Sequence, residues 1–425
     1  MTLAALLGLC GCQRQPPVPE GVVRLRMAVM GDKQESDLAR ALGAAFEKDH
    51  PGIRIAVEPV AGMGYDMKLT MQSAAGTLPD VVFLADSLVP SFIHYKIVKD
   101  LTPFIENDPS FNVGDIYPQM LETGKDRNGR VFMLPRELGV VVLLYNRTMF
   151  QRAGVPEPSE DWTYEEFVDA AQRLTVRDKK GRIVQYGYHA TYNWPGLYGP
   201  MIAASGGRLL SPDRTESTLS APASLRGLRD LTDLVTEYKV AMPPNANITA
   251  PGMDPFVAGK IAMRPIVFPA VPNLRATIKR FDWDVAMMPP GREKRVVTVG
   301  AAGYGMSAGT EHPEEAWEFL KFILSPEGQR VMARAGSGIP ALKSLADDPS
   351  WRGSGLPPQN LDAFIDSVKY GMPWQETLTF SRPEVADVVN EAFERVFIGQ
   401  ATAEEAFREA DRKITKVLAR DKERQ

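Results

Sequence analysis

Apolar positions along the chain alternate between short continuous runs and stripes at helical spacing. Residues 23–30 form a run, followed by Gly31-Asp32-Lys33 and a stripe of Leu38, Leu42, Ala45 and Phe46 over 36–49. That stripe ends before His50-Pro51-Gly52, a stop signal for a helix. A second run at 53–60, a helix over 65–75 and the run "DVVFLAD" at 80–86 continue the alternation. A run apolar on both faces suits a strand buried in a parallel sheet. Strand, helix, strand, helix, strand predicts an α/β domain.

A second system begins at "GVVVLLYN" (139–146). Asp161-Trp162-Thr163 opens a helix to about 174, with Thr163 and Glu166 at capping-box spacing. The helix predicted over 224–239 carries Leu225, Leu228, Leu231, Leu234 and Val235 on one face, and "GKIAMRPIVF" (259–268) predicts another buried strand. "WDVAMMP" (283–289) and "GYGMSAG" (303–309) precede two capped helices. The first has Pro313 in its opening turn; the second has Ser325 as N-cap, then Pro326, and Gly336 as its stop. From about 382 the chain reads as helical. No internal repeat is visible.

Both cysteines of the 425 residues, Cys10 and Cys12, stand near the start. An apolar stretch at 3–9 leads into them, and a polar, proline-rich stretch at 13–21 follows, the pattern of a secretory signal. Leu9-Cys10-Gly11-Cys12 resembles the bacterial lipobox, which implies a signal peptide over 1–11 and a lipidated tether over 12–21 attached through Cys12. No Lys or Arg precedes the apolar stretch, so the signal is expected to be truncated at its start. A Cys-x-Cys disulfide or metal site is the weaker reading, because no other cysteine exists and the four histidines are scattered.

Composition narrows the class. The 425 residues are long enough for two globular domains; 44% are apolar and 24% charged, with a formal charge of −4 and without the basic excess of a nucleic-acid binder. A body lacking cysteine suits an oxidising compartment.

Catalytic signatures are missing: no H-E-x-x-H, G-x-S-x-G, Walker loop or C-x-x-C occurs. Gly303-Tyr304-Gly305 lacks the third glycine of a dinucleotide loop and reads as a strand edge. His50, His94, His189 and His312 lie in unrelated segments, and no metal or cofactor is expected. Glu314-Glu315 complements a helix dipole and Asp347-Asp348 lies in a polar loop, so neither pair suggests a glycosidase dyad. Spacing alone leaves open a carboxylate pair assembled in space. "YHATYNWPGLYGP" (188–200) and "YGMPWQETLTFSRP" (370–383) set Tyr192, Trp194, Tyr198, Tyr370, Trp374 and Phe380 among turn residues. Such aromatics either pack in a core or stack on sugar rings.

Several segments resemble, in order, the extracellular solute-binding proteins of ATP-binding-cassette importers, in the family that includes maltose- and glycerol-phosphate-binding proteins. They are "LPRELGVVVLLYNRTMFQRAGV" with "DWTYEEFVDAAQRLT", then "GKIAMRPIVF", "WDVAMMPPG", "HPEEAWEFLKFILSPEGQ", "GIPA" and "GQATAEEAFREADRKITKVL". The resemblance implies a two-lobed periplasmic-binding-protein-like (type II) α/β fold with a hinge and a ligand cleft between the lobes. The implied lobes are 22–138 with 275–332, and 139–274 with 333–425, "FDWDVAMM" returning to the first.

By the same resemblance "MGDKQ" nominates Asp32 and Lys33, "FLADS" Asp86 and Ser87, and "NWPGLYGP" Trp194. Around "TFSRPE", Arg382 matches a phosphate-contacting arginine; its alternative role is an ion pair across the lobes. Glu137, Tyr65, Phe268, Tyr304 and Trp374 complete the candidate list. Gly139 stands where maltose binders carry an acidic contact, which argues against maltose itself.

The expected protein is non-catalytic: a lipid-anchored, monomeric receptor facing the periplasm or cell exterior that passes a sugar to permease subunits. Its rivals are a binder of glycerol-phosphate, phosphodiester or polyol, a sensor subunit, and a secreted carbohydrate-active enzyme.

Overall fold

The computed structural model describes residues 19–423 apart from 32, 61–63, 190, 191, 193, 194, 244, 245, 247, 354 and 374–381. The strands are β1 (Val23–Met30), β2 (Ile53–Val60), β3 (Val81–Ala85), β4 (Leu134–Pro135), β5 (Glu137–Val140), β6 (Val142–Asn146) and β7 (Val176–Arg177). There follow β8 (Ile183–Tyr188), β9 (Ile261–Ile266), β10 (Trp283–Met287), β11 (Val297–Gly300), β12 (Ala302–Met306), β13 (Ile339–Pro340) and β14 (Gly371–Pro373).

They form three sheets, ordered β2-β1-β3-β12-β4, β10-β6-β9-β8-β7 and β13-β5-β11-β14. In the first, β1 is parallel to β2 and β3, while β12 runs antiparallel to β3 and β4. The parallel strands read from 23–86 are therefore three of the five strands of a mixed sheet. In the second, β6 is antiparallel to β9 and β10, and β8 is parallel to β9. The third is short and links the other two.

Two expectations about the crossings change. The run 139–146 is not one strand: it breaks at Val141, whose N–H donates to the Thr298 carbonyl at 3.2 Å. On one side β5 pairs with β11; on the other, β6 pairs with β9 and β10. The chain thus passes between sheets within one residue. Trp283–Met287, expected in the first lobe, pairs antiparallel with the whole of β6, from Trp283↔Asn146 to Met287↔Val142. The return crossing comes later, where Ala301 joins β11 to β12. Buried strands of either sheet show the same apolar run, so the run cannot reveal which sheet a strand joins.

Gly139 has a steric cause. A Cβ there would lie 2.1 Å from the Gly300 carbonyl oxygen, so the β5–β11 approach requires glycine.

Helices cover the outer faces. Helix Lys33–Asp49 buries Leu38, Leu42 and Phe46, and Phe46 meets Phe319 edge-on at 5.1 Å. Thr163 and Glu166 form the capping box, and Ser325 accepts from the Gly328 N–H. Around the second sheet, helices Arg382–Phe397 and Ala403–Glu423 close over Pro222–Thr236, and Phe393 packs on Phe407 at 5.1 Å. Tyr198, expected in a loop, is buried inside helix Pro195–Ala204. The low helix propensity of Gly196, Gly199 and Pro200 hid that helix. Among the described residues, no helix is long and apolar enough to cross a membrane.

Candidate functional site

In open α/β sheets, ligands sit outside the carboxyl ends of the strands. Here the carboxyl ends of β1, β2 and β3 align, because Met30 is in register with Val60 and Ala28 with Val82. Gly31 continues β1 and donates to the Val60 carbonyl at 2.7 Å. A Cβ at Gly31 would sit 2.5 Å from that oxygen, so the approach again demands glycine. Asp86 follows β3. Its N–H donates to the Ala301 carbonyl at 2.9 Å, and its side chain accepts from Ser87 N–H at 2.6 Å and Ala301 N–H at 3.3 Å. The edge of the first sheet therefore abuts the β11–β12 crossing.

The second sheet brings its own carboxyl ends to the same crossing region. Met287 of β10 and Ile266 of β9 both face Val142, next to the break at Val141. β8 ends beside them, with the His189 N–H donating to the Met263 carbonyl at 2.9 Å. Thr298 of β11 donates from its hydroxyl to the Gly196 carbonyl at 3.0 Å, tying the third sheet to helix Pro195–Ala204. Two strand edges thus meet across a linking sheet, the arrangement that frames an interlobe cleft.

Beneath the first edge lies a buried charge cluster. Arg136, 3% exposed between β4 and β5, donates to both oxygens of Glu35 at 2.6 and 2.8 Å. Its Nε lies 3.4 Å from a Glu137 oxygen and its Nη1 donates to the Tyr304 hydroxyl at 3.3 Å. The guanidinium sits 5.1 Å from the Phe83 ring centroid. Burial alone would lower the Arg136 pKa, but the charges of Glu137 and Glu35 and the nearby Tyr304 raise it well above its usual value. Burial pushes the Glu137 carboxyl up, against the pull of Arg136. Tyr65 joins the cluster by donating to the Phe83 carbonyl at 2.9 Å, and burial holds its phenol well above the usual range.

The candidates from sequence divide accordingly. Asp86 and Ser87 stand at the first sheet's edge, partly buried. Lys33 begins the first helix, exposed, and pairs with Asp37. Glu137, Tyr65 and Tyr304 come together, but in the buried layer under the edge, with both tyrosines 1% exposed. Phe268 packs in a core, edge-on to Trp351 and Phe364 at 6.0 and 5.5 Å. Arg382 is the first residue of helix Arg382–Phe397, and its side chain is outside the description. Cys12, Asp32, Trp194 and Trp374 lie outside the described residues.

Reading the sequence missed Arg136, Glu35 and Thr298. "LPREL" did hold a signal for one of them, an arginine inside an otherwise apolar crossing segment. A large groove of about 1030 Å³, lined by Arg152, Arg173, Lys260 and Arg280 among others, lies at the opposite end of the second sheet beside Asn146 and is remote from the strand edges. Among the described residues, no group of three or more His, Cys, Asp or Glu is placed to hold a metal.

With this geometry in view, known proteins match along most of the chain. The family model for bacterial extracellular solute-binding proteins matches residues 32–330. A galactooligosaccharide-binding protein of Bacillus subtilis is 21% identical over 81% of this chain and 79% of its own length. An uncharacterized lipoprotein of Streptomyces antibioticus is 24% identical over 93% of this chain and 87% of its own. Among solved structures, an ABC substrate-binding protein of Listeria monocytogenes in complex with cycloalternan superimposes with a TM-score of 0.79 at 25% identity, covering 94% of this chain and 99% of that one.

Proposed function

The chain belongs to the bacterial extracellular solute-binding proteins, and from that premise we propose that it captures a sugar between its two strand edges and delivers it to the permease of an ABC importer. The observation that carries this reading is the pair of carboxyl edges meeting over a short linking sheet. The chain leaves that sheet for the second sheet at Val141 and for the first at Ala301, each time through a single residue. Rotation about such crossings closes two lobes on a ligand. The proposed lobes are 22–140 with 302–373, and 141–290 with helices Arg382–Phe397 and Ala403–Glu423.

A sugar is favoured over other solutes by the ligands named for the Bacillus and Listeria proteins, and by the candidate aromatic residues Trp194 and Trp374 of the sequence. Asp32, Lys33, Asp86 and Ser87 supply polar contacts from the first lobe. Lipidation at Cys12 holds the protein at the outer face of a membrane, a reading supported by the Streptomyces lipoprotein. Cys12→Ser should then move the protein from the membrane to the soluble fraction.

The test is a thermal-shift screen of mono- and oligosaccharides against glycerophosphodiesters. A ligand at about 100 times its Kd stabilises the folded form by about 2.7 kcal/mol. The expected outcome is a shift with a neutral sugar, which is recovered unchanged. Product formation would move the protein to the enzymes. A phosphodiester ligand is the second reading, favoured by the place of Arg382 at a helix start, where free N–H groups attract anions. In that case Arg382→Ala should cost about 2–5 kcal/mol of binding.

A further inference from the structure

We propose that Arg136 is a positioning residue for ligand capture: it touches no solute, but through Glu35 it fixes the first turn of helix Lys33–Asp49 against the crossing strand. This rests on the reading above that Lys33 contacts the ligand.

Three observations lead there. First, the start of this helix is held. Glu35 is gripped by two charge-assisted bonds from Arg136 at 2.6 and 2.8 Å. Lys33, the proposed contact that begins the helix, lies two residues before Glu35. Such bidentate pairs carry geometric specificity as well as energy.

Second, Arg136 is itself held through both its backbone and its side chain. Its N–H donates to the Ala302 carbonyl at 3.0 Å, next to the second crossing. Its carbonyl accepts from Gln329 Nε2 at 2.9 Å, a fully buried amide that also donates to Ile323 and accepts from Ala341 N–H at 2.7 Å. Phe83 and Tyr304 pack around the guanidinium.

Third, the arginine belongs to the crossing. It immediately precedes β5, whose Leu138 and Glu137 pair with β13 and whose Gly139 and Val140 pair with β11. A shift of the linking sheet therefore acts on Glu35 through one rigid side chain. The charge cluster couples the crossing to the first helix.

Glu35→Gln keeps the shape and removes one charge, and Arg136→Lys keeps the charge and removes the fork. Glu157→Gln, which weakens the half-buried Arg147 pair of the second sheet, is the control. In the ligand-free proteins, hydrogen exchange at the amides of Asp37 to Arg40 should speed up about tenfold in Glu35→Gln and Arg136→Lys. It should not change at Leu42 to Phe46, nor anywhere in this helix in Glu157→Gln. Affinity for the sugar found in the screen, measured well below each variant's melting temperature, should fall between about threefold and thirtyfold in the two test variants and hold in the control. Unchanged exchange at Asp37 to Arg40, or unchanged affinity alongside a lowered melting temperature, overturns the proposal. Should the wild type bind no sugar, the function proposed above fails, while the exchange measurement still decides the role of Arg136.

Discussion

The two strand edges that frame the proposed cleft are supported by different chemistry. Under the first edge, Arg136, Glu35, Glu137 and Tyr304 make a buried polar cluster. Under the second, support is mostly apolar: Tyr164, Phe167, Leu197, Leu231, Leu234 and Val297 surround a cavity of about 30 Å³. A charge cluster holds one geometry and punishes the loss of a single member. An apolar layer responds in proportion to the volume removed. The first half of the cleft is thus the more sharply defined, and the second is the half that can repack.

This contrast can be broken most directly at Arg136. Arg136→Met leaves two partly buried carboxylates without their cation and should cost about 3–5 kcal/mol, read by urea unfolding. A loss below about 1 kcal/mol would mean that the cluster is not a structural unit. In the second layer, Leu231→Ala enlarges an existing cavity and should cost about 2–4 kcal/mol, with Leu231→Met recovering most of it. Equal damage from both substitutions would erase the proposed difference in tolerance.

Thr298→Val tests the tie between the linking sheet and the second layer. It leaves the Gly196 carbonyl without its hydroxyl donor and should cost about 1–2 kcal/mol. The smallest effect concerns pH. His189 follows β8, and burial, reinforced by the Arg264 cation and opposed by Asp254, lowers its pKa. A base whose folded pKa is depressed binds protons more readily when unfolded. Its contribution is complete above the ordinary histidine range near 6.5 and declines as pH falls from there towards the folded value. The slope should not exceed about 1.4 kcal/mol per pH unit, and His189→Asn should flatten it in unfolding curves taken between pH 7.5 and 5. An unaltered slope would locate the titration elsewhere.

Much of the molecule was legible from local pattern. Runs at 23–30 and 53–60 are strands of those extents, and the Thr163–Glu166 and Ser325 caps form as their spacing indicates. Both rest on interactions within a few residues. The candidate site was legible less evenly. Asp86 and Ser87 reach an edge because a strand end follows directly from a strand. Tyr65, Tyr304 and Phe268 carry the same aromatic signature whether they pack or bind, and here they pack. "NWPGLYGP" concealed a helix, because tertiary burial of Leu197 and Tyr198 outweighs the low propensity of its glycines and proline.

By itself, then, the sequence determined the alternation of strands and helices, the stripes each helix buries, and the ordered set of segments that resembles the family. These follow from side-chain periodicity and short-range capping, which one stretch of chain carries alone. Tertiary structure alone decided the rest. It set the break at Val141, the membership of Trp283–Met287 in the second sheet, and the meeting of Arg136 with Glu35 across 101 positions. Each depends on a hydrogen-bonding or charged partner supplied by a distant segment. An apolar run fits the interior of either sheet equally well, and only the pairing partner selects between them.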